Sequence, residues 1–217
     1  MKVRSMIVAA AMTLLLPIFA WGQTVATDLD ISKMELNLSP PGFETMRTGK
    51  GSSGRWLVVP DETASHGRAI AQIDTDRTDY RFPLAIYQPI TAKNVEVSVR
   101  FKAVAGTVDR AGGIAVRLLT PDQYYVVRAN ALEDNVRLYR VVNGNRQQIA
   151  GADTKVTSNE WHTLTLRAED DRFTVSFDGK PLFTATDRTF ANAGKIALWT
   201  KADSVTHFDS VAIQPLP

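Results

Sequence analysis

Arginine, tyrosine, asparagine and tryptophan recur in this chain at spacings that would set them side by side. Tyr124, Arg128 and Asn130 share one parity of an alternating run, and Arg137 and Tyr139 share one parity of the next. Trp199 and Lys201 stand opposite Ile196 and Leu198, and Arg117 stands opposite Ile114, Val116 and Leu118. If these runs are neighbouring strands, the eight residues form one wet, aromatic-dotted sheet face. A flat ring covers the apolar C–H face of a pyranose, while Arg, Asn and Lys bond its hydroxyls. Arginine would also grip a uronate or sulfate in bidentate fashion. The chemistry that fits is carbohydrate binding. The same residue types also suit the solvent face of any antiparallel sheet, where Arg–Tyr packing supports the strands. Residue types alone leave both readings open.

Other constellations carry less. His66, His162 and His207 are far apart, and none has a second histidine at zinc-ligand spacing. His162 has the apolar parity of Leu164 and Leu166 and is expected at the core boundary. Ser65-His66 lacks the context of a nucleophile elbow. Asp74, Asp76 and Asp79 cluster, but the glycine and closing glutamate of a calcium loop are missing, so a solvated strand end is expected. Glu133-Asp134-Asn135 reads as a turn, and Asp109 and Arg110 read as loop-shaping residues. The chain has no cysteine, which removes disulfides, thiolate nucleophiles and cysteine metal sites. No catalytic residue, metal or cofactor is assigned.

The elements that must position the candidate face are strands. Val95, Val97, Val99 and Phe101 alternate with Glu96, Ser98, Arg100 and Lys102, and Phe173, Val175 and Phe177 alternate with Thr174 and Ser176. This is the two-residue period of a half-buried strand. Similar runs recur from Trp56 to Ile213, with turn signals such as Asn143-Gly144 and Asp178-Gly179 between them. Many short strands with such spacing predict a two-sheet antiparallel sandwich. Ala129–Asp134 and Phe190–Ala193 are each expected to hold one helical turn. Residues 39–54, with Pro40-Pro41 and several glycines, are expected to form a long surface loop.

Lys2 and Arg4 precede an apolar stretch of about 15 residues, Met6–Ala20, and Ala20-Trp21-Gly22 offers a cleavage site. The stretch is shorter than the roughly 20 residues that span a bilayer. Residues 1–22 are therefore expected to be a signal peptide and residues 23–217 one domain. The mature protein is expected to be monomeric, periplasmic or secreted, and not membrane-anchored. The whole chain carries 25 basic and 23 acidic residues; without Lys2 and Arg4 the two counts are equal. A neutral body argues against nucleic acid as a partner, which needs clustered positive charge.

Trp161, Leu164 and Leu166, then Phe173, Val175, Asp178, Gly179 and Leu182, then Gly194, Ile196 and Leu198 form a three-strand pattern. It resembles the concanavalin A-like lectin/glucanase superfamily, the jelly-roll group that includes laminin G-like domains. Gly112-Gly113-Ile114 followed by Tyr124–Arg128 is similar to an exported branch grouped with the 3-keto-disaccharide hydrolase domain family. The resemblance covers roughly residues 95–211 and implies an all-β, two-sheet jelly roll. The glucanases of this superfamily carry E-x-D-x-E on one strand; here that strand reads Tyr124–Asn130 and holds no acid. The reading is thus a glycan-binding module that uses a concave sheet face. One alternative is a hydrolase or lyase acting on 3-keto-glycosides, with His207, Asp203 and Glu133 as the available acids and bases. Another is a structural or protein-interaction domain of the cell envelope.

Overall fold

The computed structural model describes residues 26–217; the expected signal peptide, residues 1–22, lies outside the described residues. Among the described residues fifteen strands form two antiparallel sheets. They are β1 (Thr27–Asp28), β2 (Phe43–Gly49), β3 (Trp56–Pro60), β4 (Arg68–Gln72), β5 (Arg81–Ala92), β6 (Val95–Ala105), β7 (Ala111–Thr120), β8 (Gln123–Asn130), β9 (Asn135–Val142), β10 (Asn145–Asp153), β11 (Trp161–Glu169), β12 (Arg172–Phe177), β13 (Lys180–Thr186), β14 (Gly194–Trp199) and β15 (Val205–Pro215). The eight-stranded sheet runs β13-β12-β11-β6-β15-β4-β3, with β1 paired to β15; the seven-stranded sheet runs β10-β9-β8-β7-β14-β5-β2. This is the two-sheet antiparallel sandwich that the alternation predicts.

The alternation is used as the sequence implies. Val97, Val99 and Phe101 of β6 lie opposite Leu166, Leu164 and His162 of β11, and all point between the sheets. From the other sheet Ile114, Tyr125, Val127, Leu138 and Leu198 meet them. Each fully buried side chain of this size contributes roughly 1.5–3 kcal/mol. The two hairpin turns fall where Asn-Gly and Asp-Gly stand: Asn143 and Gly144 have φ of 49° and 76°, Asp178 and Gly179 have 49° and 73°. His162 is buried and held by Asp178 and by the Thr157 carbonyl, as a boundary residue should be.

Three local expectations are corrected. Residues 39–54 are not one loop, because β2 pairs with β5 from Phe43↔Tyr87 to Gly49↔Arg81. As an edge strand it needs only one partner and one modest apolar contact, Phe43 on Tyr87 at 5.1 Å, so its pattern is weak. Ala129–Asp134 and Phe190–Ala193 contain no helix, the first ending β8 and then turning; among the described residues the helical turn is a 3-10 turn at Ile31–Lys33. Asp74 and Asp76 both face the buried guanidinium of Arg81, which also bonds Ser52 and the Ala202 carbonyl. Among the described residues no helix is long and apolar enough to cross a membrane.

Acid should unfold this sandwich early. Hydrogen bonds from Ser52 and Thr78 hold the Asp76 carboxyl below the ordinary range. Burial pushes Asp61 up, but Lys102, His207 and Thr63 outweigh it and hold it low. Burial likewise opposes, and the Thr107, Asp109 and Val108 N–H groups outweigh, at Asp203. A carboxyl depressed by folding binds fewer protons than its unfolded counterpart. Its stabilisation is complete above the unfolded value of about 3.9 and is lost as pH falls through the folded value. Asp109, which burial pushes up, works the other way, but stands against three. Melting temperature is expected to fall steadily from about pH 5 to pH 2; a flat profile there would contradict these assignments.

Candidate functional site

The seven-stranded sheet has a second buried cluster on its outer face, away from the other sheet: Phe82, Leu84, Ile86, Ala115, Tyr124, Val126, Tyr139, Val141, Ala197 and Trp199. Register explains it. Tyr139 of β9 lies opposite Val126 of β8, Val126 opposite Ala115 of β7, and Ala115 opposite Ala197 of β14. Trp199 stacks on Phe82 at 5.4 Å, and its indole N–H donates to the Tyr124 hydroxyl at 3.3 Å. That hydroxyl lies 2.7 Å from Thr48 Oγ1. Burial pushes the Tyr124 phenol up to about 12, so it stays protonated.

At one end of this face a charged network stands on the aromatic floor. The Asn130 side-chain carbonyl accepts the N–H groups of Leu132 and Glu133, which shapes the β8–β9 turn and brings Glu133 back over the sheet. Arg128 Nη2 donates to Glu133 Oε2 at 2.8 Å and to the Tyr139 hydroxyl at 3.2 Å, and Nη1 donates to Asn135 Oδ1. Arg128 is 3% exposed, so it is an ion-paired group fixed within the fold rather than a mobile surface cation. Glu133 remains about half exposed, and among the described residues its side-chain bonds all use Oε2. Burial works upward on Glu133, but Arg128 and Asn135 outweigh it and hold its carboxyl below the ordinary range. Beside it the Asn130 amide donates to Asp109 Oδ1 at 2.8 Å, and Lys201 Nζ lies 2.7 Å from Asp109 Oδ2. Arg137, opposite Arg128 in register, pairs with Asp153 at 2.5 Å.

The structure therefore brings Arg128, Tyr139 and Trp199 to one face, with Tyr124, Asn130, Arg137 and Lys201 around them. It corrects two expectations. Arg117 does not share the face. A bulge between Val116 and Thr120 and a φ of 49° at Arg117 break the two-residue parity, and the guanidinium instead lies over Tyr125 and Phe173. Tyr124 and Trp199 are on the face but fully buried, so they form its floor and not a wet surface. Glu133, Arg137, Lys201 and Arg146 keep partly exposed polar side chains around this floor.

Three residues were not legible as members of this site. Glu133 and Asp109 sit in loops whose side-chain direction no periodicity reports. Arg146 follows a hairpin turn and faces the cluster through its pairing with Val141. The only available signal was its parity with Gln148, opposite Tyr139. Of the acids and bases named for the hydrolase alternative, His207 bonds Asp61 on the other sheet and Asp203 caps the loop at Thr107–Asp109; only Glu133 faces the site.

Gly113 is needed under this network. It lies opposite Arg128 on one side and Trp199 on the other, and a Cβ there would stand 2.5 Å from the Val127 carbonyl oxygen. That neighbour is backbone and cannot swing away. Gly113→Ala is expected to cost about 1–3 kcal/mol of stability; an unchanged urea midpoint would show that the sheet yields more easily than its geometry implies.

Residues 82–216 match the family described as galactocerebrosidase, C-terminal lectin domain. No curated protein sequence matches the chain. Among solved structures, the carbohydrate-binding module CBM66 from Bacillus subtilis is similar with a TM-score of 0.61 at 21% identity, covering 82% of this chain and 97% of its own. The protein of unknown function SO2946 from Shewanella oneidensis MR-1 gives 0.54 at 16% identity, covering 87% and 85%. A prokaryotic beta-1,3-1,4-glucanase (lichenase) derived from a mouse hindgut metagenome gives 0.53 at 13% identity, covering 88% and 99%. At these identities the likeness is one of fold, and it is the jelly roll that the resemblance implies.

Proposed function

The chain belongs to the family of galactocerebrosidase C-terminal lectin domains, and from that premise we propose that it is a glycan-binding module whose site is the outer face of the seven-stranded sheet. The observation that carries the placement is the Arg128–Glu133–Asn135–Tyr139 network. Charges on a sheet face usually extend into water and cost side-chain entropy to hold. Here they are locked against one another before any ligand arrives, which lowers the cost of binding. Among the described residues Glu133 Oε1 makes no hydrogen bond and can accept one from a sugar hydroxyl, with Arg137 and Lys201 as donors on the same face. The carbohydrate-binding module among the structural neighbours supports the same reading. A glycan array followed by calorimetry tests it: at least one glycan is expected to bind with micromolar to millimolar Kd, and no hit at millimolar sugar would reject it.

Hydrolysis or elimination on 3-keto-glycosides is the second reading, and one feature favours it. Asp109 and Glu133 lie at the same end of the face, with carboxyls displaced upward and downward respectively, the division an acid and a base require. Against it, both Asp109 oxygens are engaged, by Asn130 and the Arg110 N–H and by Lys201. Affinity for a 3-keto-glucoside without product formation is the expected result; turnover would establish the second reading. We also place the mature protein, residues 23–217, outside the cytoplasm as a monomer. Its mass after export should correspond to a chain starting at Gln23, and a species retaining Met1 would contradict this.

A further inference from the structure

Arg146 differs from the three cations gathered around the network. Arg128 is held by Glu133, Arg137 by Asp153 and Lys201 by Asp109. Arg146 makes no ion pair among the described residues. Its guanidinium instead lies 4.3 Å from the Tyr139 ring, 4.9 Å from Phe82 and 5.9 Å from Trp199, and its Nη1 is buried with no hydrogen-bond partner among the described residues. Three aromatic faces attract a cation by their quadrupoles, but they cannot accept the fork of N–H donors that a guanidinium carries. A buried donor left unmade is unfavourable. The resting protein thus keeps one positive charge, half-buried and uncompensated, over the aromatic floor of its binding face.

We propose that the glycan taken by this face is acidic, with a carboxylate or sulfate that accepts hydrogen bonds from Arg146. The inference rests on the reading of this face as a glycan site and adds the ligand's charge. Two arguments favour an anion over a neutral sugar. A charge-assisted bond to a guanidinium is about twice as strong as a neutral one. Arg128, Arg137 and Lys201 are already neutralised, so an anion approaching them must compete with a resident carboxylate; at Arg146 it displaces none. Arg146 is also well anchored to receive it. Its backbone N–H donates to the Tyr80 hydroxyl at 3.0 Å, and that hydroxyl bonds the Gly144 carbonyl at 3.0 Å, so the hairpin end is fixed while the side chain can turn toward a ligand.

Calorimetry with four probes tests the proposal: an oligogalacturonate and its methyl ester, and a sulfated chondroitin oligosaccharide and its desulfated form. Wild-type protein is expected to bind one anionic probe at least tenfold more tightly than its matched partner with the group masked or removed. The pair that shows the difference identifies carboxylate or sulfate. In Arg146→Gln the ratio should fall close to one, and in Arg146→Lys, which keeps the charge but loses the fork, to an intermediate value. Equal binding by wild type of the two members of each pair, the galacturonate with its ester and the sulfated with the desulfated form, overturns the charge inference and leaves the glycan reading standing. A ratio that survives undiminished in a folded Arg146→Gln also overturns it, because another group then selects the anion. Absence of binding by all four probes and by a wider array rejects the glycan reading itself. If Arg146→Gln fails to fold, the wild-type ratio and its loss as salt rises decide the matter.

Discussion

Replacing Arg117 by alanine is expected to cost about 3–5 kcal/mol of folding stability. The guanidinium donates to three backbone carbonyls from three connections: Lys93 at 2.7 Å, Phe190 at 3.0 Å and Asp170 at 2.5 Å. These belong to the β5–β6, β13–β14 and β11–β12 links, which close one end of the sandwich. Truncation orphans all three acceptors at once and removes the cation packed on Tyr125 and Phe173. For a chain of this size the loss corresponds to a fall in Tm on the order of 10 °C. Arg117→Lys should recover little, since one ammonium cannot span three acceptors that a planar fork bridges. The folded fraction should still bind glycan, because none of these contacts reaches the outer face of the seven-stranded sheet. A Tm within a degree or two of wild type would show that the three links do not depend on this residue.

Removal of Arg128 is expected to produce the largest loss of binding. Arg128→Ala breaks a buried, hydrogen-bonded charge pair and frees Glu133, Asn135 and the Tyr139 hydroxyl together. Breaking a buried pair of this kind costs about 3–5 kcal/mol of stability, and loss of the pre-formed network is expected to weaken binding roughly 30-fold. Stability falls as well, so binding must be measured on protein shown to be folded. Glu133→Gln separates the contributions. It keeps the shape and one acceptor but removes the charge that holds Arg128, and a smaller loss, about tenfold, is expected. If both variants bind as wild type does while folded, the network is scaffolding and the glycan lies elsewhere.

These variants also mark where the sequence was readable. The sandwich was legible because both sheets bury one face, and a two-residue period then writes itself into Val95–Phe101 and Phe173–Phe177. The gathering of Arg128, Tyr139 and Trp199 followed from the same parity. Arg117 was misplaced for a local reason: parity counting assumes an unbroken ladder, and a bulge at a residue of positive φ resets it. Trp199 and Tyr124 were placed on the right face but given the wrong environment, because alternation reports direction and not what covers a side chain. β2 escaped notice because an edge strand of Phe, Glu, Thr, Met and Arg needs little apolar pattern to pair on one side only. Glu133 and Asp109 were unreadable as partners of Arg128 and Lys201, since loop conformation, set here by Asn130, decides where they point.

The most direct test of the central claim is an amide-resolved NMR titration of residues 23–217 with a glycan that binds. Shifts concentrated at Arg128, Glu133, Arg137, Tyr139, Arg146 and Lys201 are the result expected if the outer face of the seven-stranded sheet is the site. Shifts concentrated instead on the other sheet, around Trp161 and His207, would contradict it.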